Sequence, residues 1–291
     1  MDDDDPEEPI QDDSTTELTD QDLRADPVLA DGQGMKVLAT LDRRLPDGRQ
    51  WRPTGMTPDG QVIGSAFGDS SSVVLVDPVS AEVDVISGDV DTGGYVAAAG
   101  RRYVVWVESN APDLFTMPWV MYSHDRRSGV TRKIAEAPDV GVDPVPAVPN
   151  GTAASLHDGT VWFAAVESVD GPAVSSVNPA VYSVPADGSA RMRLRVRGAH
   201  SPQVTGDSMF YSVGTGGSFR TWDLRVRDLR SGADRSLDSP EQGPRVSGGA
   251  SAGGVVMWQE LQRGSCTSFI GRADGSVDTL LDAGCNRWFR Y

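Results

Sequence analysis

The chain has little of what catalytic and metal centres are built from. Only two cysteines, Cys266 and Cys285, and three histidines, His124, His157 and His200, occur in its 291 residues. The histidines are scattered, so the three or four ligands of a metal site are not in place, and no cofactor is expected. Lysine is nearly absent, with Lys36 and Lys133 set against 24 arginines. No apolar run approaches the ~18 residues that a membrane-spanning helix needs. The start of the chain lacks basic, apolar and cleavage regions in order, so no signal peptide is read there. From Met35 onward no stretch keeps a helical period for three turns. A formal net charge of −16 argues against a nucleic-acid binder, because phosphate contact needs concentrated Lys and Arg.

That charge is unevenly placed. Residues 1–34 hold 13 acids against one base, Arg24, which leaves the other 257 residues at only −4. The segment has no aromatics and few aliphatics, so it cannot bury enough apolar surface to offset the entropy of ordering. We expect residues 1–34 to be a disordered acidic tail, either a solubilising linker or a docking segment for a basic partner.

What is plentiful is turn chemistry, with 32 glycines and 19 prolines, and it punctuates a repeat. An apolar strand recurs as QVIGSA (61–66), RYVVWV (102–107), TVWFAA (160–165), SMFYSV (208–213) and GVVMWQ (254–259). Each copy is followed by a strand, a tight turn and another strand. The turns are Asp77–Ala81, Asp125–Gly129, Asp187-Gly188, Asp228–Gly232 and Asp274-Gly275. Aspartate bonds its own turn backbone and glycine supplies positive φ, so these read as hairpins. The closing residues Ala81, Gly129, Gly188, Gly232 and Gly275 are spaced by 48, 59, 44 and 43. Four strands at that period predict an all-β chain, a β-propeller of five or six four-stranded blades over residues 35–291. The recurring strand is apolar on both faces, as a sheet covered on both sides requires. Trp106, Trp119, Trp162, Trp222 and Trp258 lie in or beside these strands and read as packing between blades.

The turn MTPDGQ at 56–61 and the hairpin HDRRSG at 124–129 carry a resemblance to the TolB-type and WD40-like propellers of bacterial extracytoplasmic proteins. The resemblance implies a fold and an extracytoplasmic setting, with the cytoplasm as the alternative. The WD dipeptide of the latter group is missing, since Trp222-Asp223 stands at the start of a strand. Single strands at 36–41 and 287–291 would together make half of a sixth blade. Cys266 and Cys285 flank the last hairpin, where a disulfide would pin the closing region in an oxidising compartment.

In a four-stranded meander the short hairpins lie at one end. The links between second and third strands, and between blades, lie at the other. That second end takes the long segments 110–118, 138–150 and 169–179, and long loops on a rigid scaffold are where binding sits. It is also acidic. Glu108, Glu167 and Glu260 end three of the recurring strands, and Asp69, Asp89, Asp91, Asp113 and Asp170 neighbour them. With Phe115 and Trp119, the residues Glu108, Glu167, Glu260 and Asp113 form the expected binding set for a protein or small ligand. Repeats copy structural residues as readily as functional ones, so solvated strand ends are the competing reading. The function expected is non-catalytic binding or scaffolding, with a propeller hydrolase acting on a carbohydrate or lactone as the alternative. Arg191, Arg193, Arg195 and Arg197 alternate along one strand and are expected on one side of it, either guarding an exposed edge or docking an anionic partner. The oligomeric state is not legible from these residues.

Overall fold

Short β-branched and aromatic runs set between Asp, Gly and Ser turns fold as antiparallel meanders. The computed structural model describes residues 40–87, 94–109, 119–140, 154–169, 177–214, 222–237, 245–247, 251–252, 255–262 and 265–282. The chain divides into two units, Met1–Thr40 and Leu41–Tyr291, and the architecture that follows is that of the second. Among the described residues there is no α-helix, only one 3-10 turn, Ala137–Val140.

The strands gather into five antiparallel sheets in sequence order. Sheet I comprises β1 (Gln50–Met56), β2 (Val62–Phe67), β3 (Ser71–Val76) and β4 (Val83–Val85). Sheet II follows with β5 (Gly94–Ala99), β6 (Tyr103–Ser109), β7 (Trp119–Asp125) and β8 (Val130–Glu136). Sheet III holds β9 (Ala154–His157), β10 (Thr160–Val169), β11 (Val177–Pro185) and β12 (Arg193–Arg197). Sheet IV holds β13 (Ala199–Thr205), β14 (Ser208–Gly214), β15 (Trp222–Asp228) and β16 (Asp234–Ser236). Sheet V has β17 (Arg245–Ser247) and β18 (Ser251–Ala252), both paired to β19 (Val255–Gln262), then β20 (Ser265–Arg272) and β21 (Val277–Asp282). The five recurring apolar runs are β2, β6, β10, β14 and β19, each second in its sheet. Thr40 and Leu41 are not in a strand. The rest of the 36–41 run, residues 287–291, Cys285 and residues 1–34 lie outside the described residues.

Burial explains why the second strands lack alternation. β6 gives Val104 and Trp106 to a core shared with Ile63, Val73 and Leu75 of sheet I. It gives Tyr103, Val105 and Val107 to a core shared with Val161, Phe163 and Tyr182 of sheet III. β14 divides likewise. Met209 and Tyr211 join Val181 of sheet III, and Phe210 joins Val256, Trp258 and Phe269 of sheet V. Successive side chains point to opposite faces of a strand, so a strand buried on both faces must be apolar throughout. Trp106, Trp119, Trp162 and Trp258 sit in or against these joints as the sequence predicts, while the Trp222 side chain lies outside the described residues. Trp106 stacks on Tyr122 with centroids 5.7 Å apart, Trp119 meets Phe163 edge-on at 5.7 Å, and Trp258 stacks on Phe269 at 5.5 Å. On its other side sheet I is covered by Leu41 and Leu45, a segment tied down where Trp51 Nε1 donates to the Asp42 carbonyl at 2.7 Å.

The outer hairpins close as their composition predicts. Ala81, Gly129, Gly188, Gly232 and Gly275 all adopt positive φ, between 58° and 89°. Each turn aspartate accepts backbone N–H groups ahead of it. Asp77 Oδ1 takes Val79 and Ser80 at 2.8 and 3.0 Å, and Asp228 Oδ1 takes Arg230 and Ser231 at 2.9 and 2.7 Å. Bonds to the ionised form favour it, so the Asp77, Asp187, Asp228 and Asp274 carboxyls all sit below their ordinary pKa.

One expectation needs correcting. The arginines of β12 do not share a side. β12 pairs Val196 with Val181 but Leu194 with Tyr182, so Arg195 is an extra residue in a bulge. The slip reverses the alternation beyond it. Arg193 and Arg195 lean toward sheet IV, with Val196, while Arg197 leans toward sheet II, with Glu167 and Tyr182. The fourth strands β8 and β21 carry bulges at the matching place, at Ile134 and Leu280.

Candidate functional site

Glu108, Glu167 and Glu260 lie on β6, β10 and β19 in like positions near the strand ends, as their spacing implies. Glu108 Oε1 accepts the Trp106 Nε1 proton at 2.8 Å, a bond between residues on one side of the strand. Glu167 occupies a bulge between Val166 and Ser168 and takes Arg197 Nε at 2.6 Å, with its side chain 24% exposed. Glu260 pairs through its backbone with Arg245 and Thr267. Asp113 and Phe115 lie outside the described residues, as do Asp89, Asp91 and Asp170. Trp119 is buried at 2% exposure, between sheets II and III, and its Nε1 meets no acceptor among the described residues.

These carboxylates change the chemistry beside them. Burial, with Glu167 adding to it, pushes the Tyr182 hydroxyl up to about 12. Burial and then Glu108 push Tyr122 upward as well. Glu108 and Glu167 each have one oxygen engaged by a donor, and a carboxylate offers about four acceptor positions. A cation, a basic side chain or a hydroxyl could still be taken. No group of three or more His, Cys, Asp or Glu is placed to hold a metal ion among the described residues.

The histidines serve other ends. Burial lowers the His124 pKa, and its Nδ1 lies 3.0 Å from Thr131 Oγ1, which donates to the Ile86 carbonyl of sheet I at 3.1 Å. His200, on β13, is held neutral by burial, with its pKa pushed down to about 4. Its Nδ1 lies 2.9 Å from the hydroxyl of the adjacent Ser201.

Two features escaped the sequence. At the long-link end of sheet I, an open depression of about 750 Å³ is lined by Arg44, Asp47, Arg49, Phe67, Asp69 and Ser70. Arg49 orders its wall, bonding Asp47 at 2.8 Å and Ser72 Oγ at 2.7 Å. Only the exposed apolar Phe67 beside Gly68-Asp69 hinted at it. At the opposite end Arg126 of sheet II reaches sheet I. It grips Asp59 at 2.8 Å and donates to the Arg101 carbonyl at 2.8 Å. The guanidinium holds the Asp59 carboxyl far below the usual range. Its partner is 67 residues away, so no local pattern could reveal it.

Comparison with known proteins is informative about architecture. No family profile matches the chain, and no curated protein is significantly similar to it. Solved structures are similar. The β-propeller domain of the trilobed protease from Pyrococcus furiosus matches with a TM-score of 0.56 at 12% identity, over 79% of this chain and 69% of that one. The chain has a β-propeller fold. Its sheets are therefore blades, I to V in order. The Pyrococcus horikoshii acylaminoacyl peptidase matches with a TM-score of 0.57 at 9% identity, over 80% of this chain and 39% of that one. TolB from Acinetobacter baumannii matches at 0.49 and 13% identity, over 81% and 55%. The chain thus spans about two fifths of the peptidase and just over half of TolB. At such identities the likeness is one of fold alone.

Proposed function

We propose that this propeller is a non-catalytic binding or scaffolding module that engages a protein or small ligand through its long-link end. One observation supports the reading most. The outer hairpins are closed by built turns of fixed geometry at one end, while nearly all variation in link length falls at the other. A rigid scaffold carrying variable loops is the usual design for recognition. Glu108 and Glu167, each anchored by one donor, would present carboxylates there with Glu260 and Asp113, beside Phe115, while the buried Trp119 would support that end from the core. We take the propeller to have five blades, residues 1–34 to be a disordered acidic tail, and the setting to be extracytoplasmic, with Cys266 and Cys285 joined. Among the described residues no helix is long and apolar enough to cross a membrane.

Native mass spectrometry before and after chelation, followed by thermal-shift titration with divalent cations, basic peptides and oligosaccharides, tests the binding role. A ligand-dependent rise in melting temperature, lost when Glu108, Glu167 and Glu260 are all changed to Gln, is the expected result. The competing reading is a hydrolase, since peptidases are among the similar structures. Turnover of glycoside or lactone substrates by the purified protein, abolished by one carboxylate substitution, would establish that reading instead.

A further inference from the structure

The outer joint between blades III and IV collects four guanidinium groups, and among the described residues only Arg225 has a carboxylate partner. On β12, Arg193 and Arg195 lean toward blade IV. Arg195 is fixed in place, its Nε donating to Ser183 Oγ at 2.7 Å and its guanidinium lying 5.4 Å from the Trp162 ring centroid. On β15, Arg225 stands opposite Tyr211 and Arg227 opposite Met209. Tyr211 and Met209 belong to the core shared with blade III, so both arginines face back toward β12. Two strands from different blades therefore turn four arginines on one joint.

The acids nearby neutralise only Arg225. Asp234, opposite Arg227, accepts the Tyr211 hydroxyl and, at 2.8 Å, Arg225 Nε. Asp207 is taken by Arg230 at 2.7 Å, and Glu167 by Arg197 on the far side of blade III at 2.6 Å. Asp223 shares the side of Arg225 but stands at the other end of β15, opposite Val213. Among the described residues, Arg193 and Arg227 have no carboxylate within ion-pair distance. The outer edge of β12 borders no other strand among them either, and an open edge is a template for strand addition.

We infer that this joint docks an extended acidic peptide of a partner protein, which pairs with β12 as a further strand and sets alternate carboxylates against Arg193, Arg195 and Arg227. In an extended chain, side chains two residues apart lie on one side at about 6.8 Å, the spacing along β12 and β15 themselves. Arginine offers a planar fork suited to carboxylate. An arginine edge repels a second copy of itself while attracting an acidic strand, so protection against self-pairing and selection of a partner come from the same residues. The surface is distinct from the long-link end, and the inference stands apart from the role proposed for that end.

The test uses the full chain and two fluorescein-labelled octapeptides of equal composition. One alternates Glu and Val, and the other carries its Glu residues in a block. Fluorescence anisotropy is read at about 50 mM salt, where surface charges are weakly screened. The alternating peptide is expected to bind several-fold more tightly than the block peptide. The double variant Arg193→Ser/Arg227→Ser should weaken its binding about tenfold. The control Arg127→Ser/Arg132→Ser, in exposed positions of blade II, should leave it unchanged, and all variants should melt with the wild type. Equal binding of both peptides, no binding of either, an unaffected Arg193/Arg227 variant, or an equal loss in the control each overturns the inference.

Discussion

Replacing Ala81 with glycine should make the protein more stable, although it removes a methyl group and adds no contact. Ala81 closes the outer hairpin of blade I at φ 58°, where the matching hairpins of blades II to V use glycine. Its amide donates to the Asp77 carbonyl at 2.9 Å, so the left-handed backbone is enforced by the turn. For a residue with a Cβ that conformation costs about 1–2 kcal/mol. Glycine avoids this cost but loses about 0.4–1 kcal/mol more entropy on folding. The net expectation for Ala81→Gly is a gain of about 0.5–1 kcal/mol. In a domain of this size that raises Tm by roughly 1–4 °C. Gly129→Ala provides the mirror measurement. Gly129 has φ 69°, and an added Cβ would meet nothing within 4 Å, so packing contributes nothing and only backbone strain is read. A loss of about 0.5–1 kcal/mol is expected there. Urea denaturation, with unchanged slopes, gives both values. If Ala81→Gly destabilises the protein, or Gly129→Ala has no effect, the conformational account of the repeat is wrong.

Other perturbations probe different layers. The turn aspartates and Asp125, which Arg102 holds down at about 2, have folded pKa values below their unfolded ones. Their contribution is complete above about pH 4 and is lost as pH falls toward 2; a flat stability profile over that interval would contradict the turn hydrogen bonds. His200, pushed down to about 4 by burial, should add an earlier loss as pH falls from about 6.5 to 4, absent in His200→Gln. At Gly271 a Cβ would lie 2.9 Å from the Trp258 ring and 3.0 Å from Leu237; Gly271→Ala should cost about 1–3 kcal/mol by overpacking. Trp106→Ala should cost about 3–5 kcal/mol while leaving the far-UV circular dichroism of the remaining sheets in place.

How much of this was legible depends on the reach of each interaction. Local chemistry is written plainly. Asp125-Arg-Arg-Ser-Gly129 and Asp228-Leu-Arg-Ser-Gly232 announce turns because aspartate and glycine satisfy them within five residues. Runs such as YVVWV show burial on both faces. The side taken by Arg197 was not legible, because it depends on a bulge at Arg195 that is a property of strand pairing and leaves no mark in an alternating pattern. The grip of Arg126 on Asp59 was hidden for a related reason, as blade stacking alone brings them together. Glu108 and Glu167 were recognisable as strand-end acids. That Trp106 and Arg197 would engage them was not, since one depends on side-chain orientation and the other on a neighbouring strand.

The sharing of β6 and β14 between two cores carries a consequence for dissection. No blade owns its interior. A cut in the link between residues 140 and 154 would bare Tyr103, Val105 and Val107 on one fragment and Val161, Phe163 and Tyr182 on the other, two halves of one interlocking surface. Neither fragment should persist alone in water, yet each is the other's best partner. Co-expressed halves should therefore reassemble without a linker, which makes that link the natural place to split the protein into a reporter of proximity.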